Sequence, residues 1–273
     1  GITVIRQTIP RSRAIVLQVI AVILVIAAYT WWSHERHLVN STDRMVPSWS
    51  QMVEGFDRII RMDEDDHVRW LVADTQATLT RLGIGLAVAI AASFLLGILM
   101  GCFRSVERFC LWWVSALAKI PATSIIAVIF VAVGTGMELY VAIIAFGVVP
   151  VLAESVFLLV RDDVADEEIH KAYTLGASHV ETIWNVIVPK ILPKFMNSVR
   201  LQIGPALVYL IAAEYFCAYI GFGYRINKLA RQTRMDVVFP YLIALGVLMF
   251  IANLAMLKFS ERAFRWSRSG GER

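Results

Sequence analysis

The stretch HKAYTLGASHVETIWNVIVPKILP, residues 170–193, lies between two apolar runs at 137–160 and 197–220 and is too polar to continue either of them. Read locally, it makes two short helices about one glycine. In the first, Ile169, Ala172, Tyr173 and Gly176 recur at the helical spacing i, i+3, i+4 and i+7, while Asp166, Glu167 and Glu168 favour its N-terminus through the helix dipole. Gly176 supplies the left-handed residue on which a helix ends. Ser178 and Glu181 stand at capping-box spacing and start the second helix. Its expected apolar face is Val180, Ile183, Trp184, Ile187 and Val188, and Pro189 and Pro193 are expected to terminate it. A hairpin of this kind either lies on lipid headgroups or docks on a partner protein, and the pattern leaves both open.

The chain around the hairpin is mostly oil. Of its 273 residues 58% are hydrophobic and 18% charged, against roughly 25% charged in soluble domains, and its mean hydropathy is +0.64. Apolar runs long enough to cross a bilayer recur from end to end. Six spans are expected, at 14–32, 77–101, 109–133, 137–160, 197–220 and 237–258, which make an all-α polytopic membrane protein with a single transmembrane domain over 1–273 and the hairpin at about 162–194. The first run is longer than a signal-peptide core and ends in Trp31 and Trp32, so it reads as a retained anchor. With both termini cytoplasmic, Lys and Arg number fifteen in the inner segments and nine in the outer ones, as the positive-inside rule favours. Arg225, Lys228, Arg231 and Arg234 crowd the last outer connection and strain that assignment.

Other features are weaker. Pro121, Pro150 and Pro205 interrupt three spans; each removes a backbone donor and bends a helix, whether or not the bend serves a cavity. GILMG at 97–101 is a small-xxx-small face for close helix packing. The outer segment 33–76 holds the acidic run DEDD at 63–66, and MVEGFDRII, expected as a short helix on the membrane surface. His34 and His37 in HERH would stand one turn apart on a helix, but no metal site is assigned. Cys102, Cys110 and Cys217 have neither disulfide-frame nor zinc spacing. The net charge of +4 fits basic loop ends facing anionic membrane lipid rather than nucleic acid.

The hairpin resembles the signature loop of permeases of binding-protein-dependent ABC importers, E-A-A-x3-G-x9-I-x-L-P. Here the frame reads His170, Lys171, Ala172, three residues, Gly176, nine residues, then Val186, Ile187, Val188 and Pro189, with TLGAS at the centre. His170 and Lys171 replace an acid and an alanine. VPSWSQMV (46–53), DTQATLTR (74–81), Lys119-Ile120-Pro121, and AEYF with GFGY (213–224) are similar, in order, to stretches of the nitrate, sulfonate and taurine branch. The resemblance implies a type I importer permease fold, a second copy of the permease, two ATP-binding cassette subunits that carry ATP and Mg, and a periplasmic or lipid-anchored solute-binding protein, all at the bacterial inner membrane. It also implies that His170, Lys171, Ala172, Tyr173, Leu175, Gly176, Ala177, Ile183, Trp184 and Pro189 form the coupling interface with the ATPase.

The sequence has no G-x-x-x-x-G-K-S/T motif, so ATP hydrolysis is expected in another chain and no cofactor in this one. Lys119, Glu154 and Glu214 are the candidates for the substrate path, because ionisable groups within spans face a cavity or a partner. Lys119 reads either as an ion pair with Glu154 or Glu214, or as a contact for an anion such as a sulfonate or nitrate; Arg81 is expected to snorkel to the outer surface. The rival function is an ion-coupled secondary transporter or channel in which Glu154, Glu214 and Lys119 relay ions. A membrane-embedded enzyme is disfavoured, since HExxH and GxSxG are both absent.

Overall fold

A computed structural model describes residues 10–61 and 68–264. The acidic run 63–66 lies outside the described residues. Helices α1 (Arg11–Val39), α3 (Trp70–Cys102), α6 (Met137–Asp163), α9 (Val188–Cys217) and α11 (Met235–Ala263) are the long elements, each of 27 residues or more. At 1.5 Å per residue all five exceed the roughly 30 Å of a bilayer core. Shorter helices are α2 (Trp49–Ile60), α4 (Arg104–Leu117), α5 (Ile126–Val133), α7 (Asp166–Thr174), α8 (His179–Thr182) and α10 (Phe222–Arg231). Taking each bent pair as one span gives up to six crossings. Consecutive spans therefore place α7 and α8 at the end where α1 starts and α11 finishes, and α2 and α10 at the opposite, distal end.

The packing centres on α6, where Leu139, Ile143, Ile144, Val148, Leu152 and Val156 are fully buried. Glycines let α3 approach it. A Cβ at Gly97 would stand 2.5 Å from Val156 Cβ and 2.7 Å from the Ala153 carbonyl, and one at Gly101 2.6 Å from Val160 Cβ. Close backbone approach replaces the hydrophobic drive that lipid does not supply, so the GILMG stretch is a packing face.

One expectation holds more sharply than foreseen and two change. The third span is broken: α4 ends at Leu117, Pro121 heads a 3-10 turn at Ala122–Ile125, and the two halves meet at 85°. Pro121 has no N–H to give the preceding turn and its ring clashes with the carbonyl four residues back, so the chain tightens instead, with Lys119 N and Ile120 N donating to Ala116 O and Leu117 O. The segment MVEGFDRII does form helix α2, but it does not lie free on the surface. Ile59 is fully buried, and Gly55 abuts the Asp236 carbonyl at the start of α11 so closely that a Cβ would collide with it. Finally, Pro150 and Pro205 sit inside unbroken helices α6 and α9.

Helix α1 stands apart. Its apolar window is wholly exposed within the chain, and its polar ties are at its C-terminal end, where Tyr29 Oη donates to Pro47 O (2.7 Å), Trp49 Nε1 to Thr30 Oγ1 (2.9 Å) and Ser33 Oγ to Pro47 O (3.2 Å). The helix carries both His34 and His37, but His37 faces Ser33 O and Gln51 Oε1, and no cluster of metal-ligating side chains occurs among the described residues.

Candidate functional site

The hairpin is built from two interlocking stop and start signals. Gly176 has φ +87°, and behind it Gly176 N donates to Tyr173 O and Ala177 N to Ala172 O, a Schellman closure that satisfies the last carbonyls of α7. Two residues on, Ser178 and Glu181 form the capping box: Glu181 N donates to Ser178 Oγ (3.3 Å) and Ser178 N to Glu181 Oε2 (2.7 Å). The Ser178 amide holds the Glu181 carboxyl below its usual range. Across the turn the Tyr173 hydroxyl and His179 Nδ1 lie 2.9 Å apart, with the rings edge to face.

The second arm departs from expectation. Pro189 and Pro193 do not end it: a π-turn over Ile183–Ile187 carries α8 directly into α9, with Val188 N donating to Ile183 O. The wide turn gives room around Asn185, the carbonyl that a proline ring at 189 would otherwise crowd, and Pro189 then occupies the first turn of α9. The expected apolar face also splits. Ile187, Val188 and Thr182 are buried and Ile183 packs on the core, whereas Val180 is 64% and Trp184 60% exposed. Together with Leu175 at 89% and Tyr173 at 41% they form an apolar patch at the tip. Of the other residues expected at this interface, His170, Lys171 and Pro189 are exposed and Ala172 and Ala177 half-buried. Under the hairpin a cleft of about 260 Å³ opens, lined by Arg104, Glu107, Arg161, Asp166, Tyr173 and His179 among others.

Of the three expected path residues, Lys119 and Glu154 both reach Ser115, while Glu214 lies apart from them. Lys119 is exposed in the break after α4, and its ammonium reaches only the Ser115 carbonyl (3.3 Å) of its own helix. Glu154 accepts from Ser115 Oγ (3.1 Å). The ion pair considered for Lys119 is absent among the described residues, and Lys119 stands exposed in the break between α4 and α5. Glu214 is fully buried near the distal end, where Arg81 Nη1 donates to it at 2.7 Å. Arg81 therefore does not snorkel; its guanidinium also covers the Tyr140 ring at 4.2 Å.

Around that pair lies a network which sequence reasoning missed. Asp74 accepts from Gly221 N (2.9 Å), Arg225 Nε (2.9 Å) and Tyr241 Oη (2.8 Å). Thr78 Oγ1 donates to Glu214 and accepts from Phe222 N (3.1 Å), and Gly223 N donates to Glu214 Oε2 (3.1 Å). Two carboxylates thus take up the free amides at the N-terminus of α10, where the helix dipole favours negative charge. The cluster fastens α3, α9, α10 and α11 to one another. Gly221, at φ +123°, could not be otherwise: a Cβ there would stand 2.5 Å from the Glu214 carboxylate. The available signal was the polar spacing Asp74, Thr78, Arg81, one face of a helix that begins seven residues before the expected span. Of the basic crowd after α9, Arg225 belongs to this network through Asp74, while Arg234 is paired separately with Asp236 (2.9 Å) and Arg231 donates to Asn227 Oδ1 (2.9 Å).

The stretches that meet in this knot, DTQATLTR and AEYF with GFGY, are the ones already noted as family-like. A family model described as "Binding-protein-dependent transport system inner membrane component" matches residues 93–265, more than half of the chain. The chain belongs to this family. Among curated relatives, a probable ABC transporter permease protein of Brucella melitensis is 26% identical over 198 residues, covering 72% of this chain and 79% of the relative. The taurine transport system permease protein TauC of Escherichia coli is 25% identical over 190 residues, 70% of this chain and 69% of the relative. The carnitine transport permease protein OpuCB of Listeria monocytogenes is 29% identical, over 71% and 88%. A chain of the MetNI methionine ABC transporter, in an inward-facing conformation, superposes with TM-score 0.63 over 74% of this chain and 99% of that chain at 17% identity. The fold is that of a type I ABC importer permease, and the chain is a multi-pass inner-membrane transport component.

Proposed function

We propose that the chain is the translocation subunit of an ATP-driven importer, and that the 166–188 hairpin transmits force from separate ATPase subunits. The observation that carries the reading is the tip patch. Tyr173, Leu175, Val180 and Trp184 stand in the open on a turn whose backbone is fixed from both sides by a Schellman closure and a capping box. A rigid apolar knob of this kind suits a groove in another protein. Its second arm is the first part of α9 itself, because helix runs without a stop from His179 to Cys217. A displacement at Trp184 is therefore a displacement of that span.

The assembly that follows is a second copy of this chain, two ATPase subunits holding ATP and Mg, and an external solute-binding protein, with both termini cytoplasmic. Exposed Lys119, with no carboxylate in ion-pair reach among the described residues, supports an anionic solute such as a sulfonate. Glu154 lies on the same path, whereas Glu214 serves the knot. The ion-relay alternative would need all three groups in one chain of contacts, whereas Lys119 and Glu154 both bond Ser115 and Glu214 is held apart from them by Arg81. The test is double substitution, Leu175→Ala with Trp184→Ala, in the purified complex. Loss of ATPase binding with the permease still folded in the membrane supports the reading; full retention of binding refutes it.

A further inference from the structure

Two lysines on α9 grip the hairpin from outside. Lys190 Nζ donates to both oxygens of Glu168, at 2.7 and 2.6 Å, and Lys194 Nζ donates to Asp163 Oδ1 at 2.5 Å. Their spacing of four puts both on one face of α9. Their partners belong to different elements, Asp163 being the last residue of α6 and Glu168 part of the first turn of α7. Among the described residues these are the polar contacts that join the α6–α7 junction to α9 at this end. On the far side of the junction, Val164 is buried against the core that also holds Ile187, Val188 and Ile191.

The two arms have different mechanical positions. The α8 arm is continuous with α9, while the α7 arm is joined to α6 through Val164 and Ala165. The two spans share one core, with Ser155 Oγ and Ser198 Oγ 2.9 Å apart, so it is at the hairpin end that a push on the tip could turn one arm without the other. We infer that Lys190 and Lys194 are positioning residues that lock the two arms together, so that α6 and α9 move as one body when the tip is displaced. Both bridges are partly exposed, and such pairs add little to folding stability. Their effect is on the angle between the hairpin and its two spans: even a weak ion pair shifts the populated angles severalfold, and charge reversal turns its attraction into repulsion.

The inference rests on the coupling role proposed for the hairpin, and the test separates the two. The complete complex with its ATPase subunits is reconstituted in vesicles, with Cys102, Cys110 and Cys217 replaced by alanine and Val208→Cys introduced on the exposed face of α9. Three readouts are taken: ATPase subunits retained, ATP hydrolysed, and the ATP-dependent change in the rate at which a water-soluble maleimide labels position 208. Lys190→Glu and Lys194→Glu should each keep the ATPase bound and hydrolysis within about twofold, yet diminish the labelling change by about fivefold or more. The reciprocal swaps, Lys190→Glu with Glu168→Lys and Lys194→Glu with Asp163→Lys, should restore it. Single variants with an unaltered labelling change, swaps that fail to restore it, or variants that shed the ATPase would each overturn the inference. Failure of the unsubstituted chain to hold an ATPase would instead overturn the coupling role itself.

Discussion

Replacing Gly176 gives a graded test of the hairpin, because the cost there comes from the backbone. The residue sits at φ +87°, and a Cβ added to it meets nothing within 4 Å. A Cβ therefore meets no collision, and the backbone penalty is that of holding an L-residue in the left-handed region. That is roughly 1–2 kcal/mol for an ordinary residue, less for asparagine, and larger for a β-branched one. At about 1.4 kcal/mol per factor of ten, a valine costing roughly 2 kcal/mol or more lowers the population of the native turn some thirtyfold relative to opened forms. On the proposed reading, opening the turn means that Leu175 and Trp184 no longer present one surface to an ATPase subunit. The assay is permease-stimulated ATP hydrolysis in reconstituted vesicles, with membrane content of the chain measured in parallel. Stimulation should fall in the order Gly, Asn, Ala, Val, while insertion stays unchanged. Full stimulation in Gly176→Val, or an asparagine variant as poor as the valine one, would refute the reasoning.

Glu214→Ala strands the Arg81 guanidinium and the Gly223 amide, which should destabilise the fold by roughly 3–5 kcal/mol; thermal unfolding in detergent should show this, and Arg81→Met with Glu214→Leu should lose less than the single change. Gly97→Leu drives a side chain into Val156 and the Ala153 carbonyl, an overpacking of about 1–3 kcal/mol that should lower the melting temperature without touching the hairpin. The Glu181 carboxyl is depressed by its bond from the Ser178 amide. A depressed acid stabilises above its unfolded value and loses that contribution as pH falls through the folded one. Hydrogen-exchange protection at the start of α8 should therefore be flat above the ordinary glutamate value of 4.5 and decline below it.

The spans and the hairpin were legible because both rest on local chemistry. Apolar length marks a crossing wherever it occurs, and Gly176, Ser178 and Glu181 each act on backbone groups within a few residues. What escaped was set by contacts distant in sequence. Asp74, Thr78 and Arg81 looked like the polar edge of a span, and only the fold brings Glu214, Gly221–Gly223, Arg225 and Tyr241 around them. The continuity through Pro189 was hidden for another reason. A proline ends a helix by default, and the wide turn that rescues it depends on packing of Ile183 and Ile187 rather than on a residue pattern. The ion pair considered for Lys119 was equally beyond local reading, because whether a carboxylate stands within reach depends on how the chain runs through the break at Pro121.

The most direct measurement places a photoactivated cross-linker on Leu175→Cys, in a chain whose native cysteines have been replaced, and irradiates intact membranes containing the whole transport system. The account predicts an adduct with the mass of one ATPase subunit, lost in Gly176→Val. Adducts with lipid alone, unchanged in that variant, would contradict it.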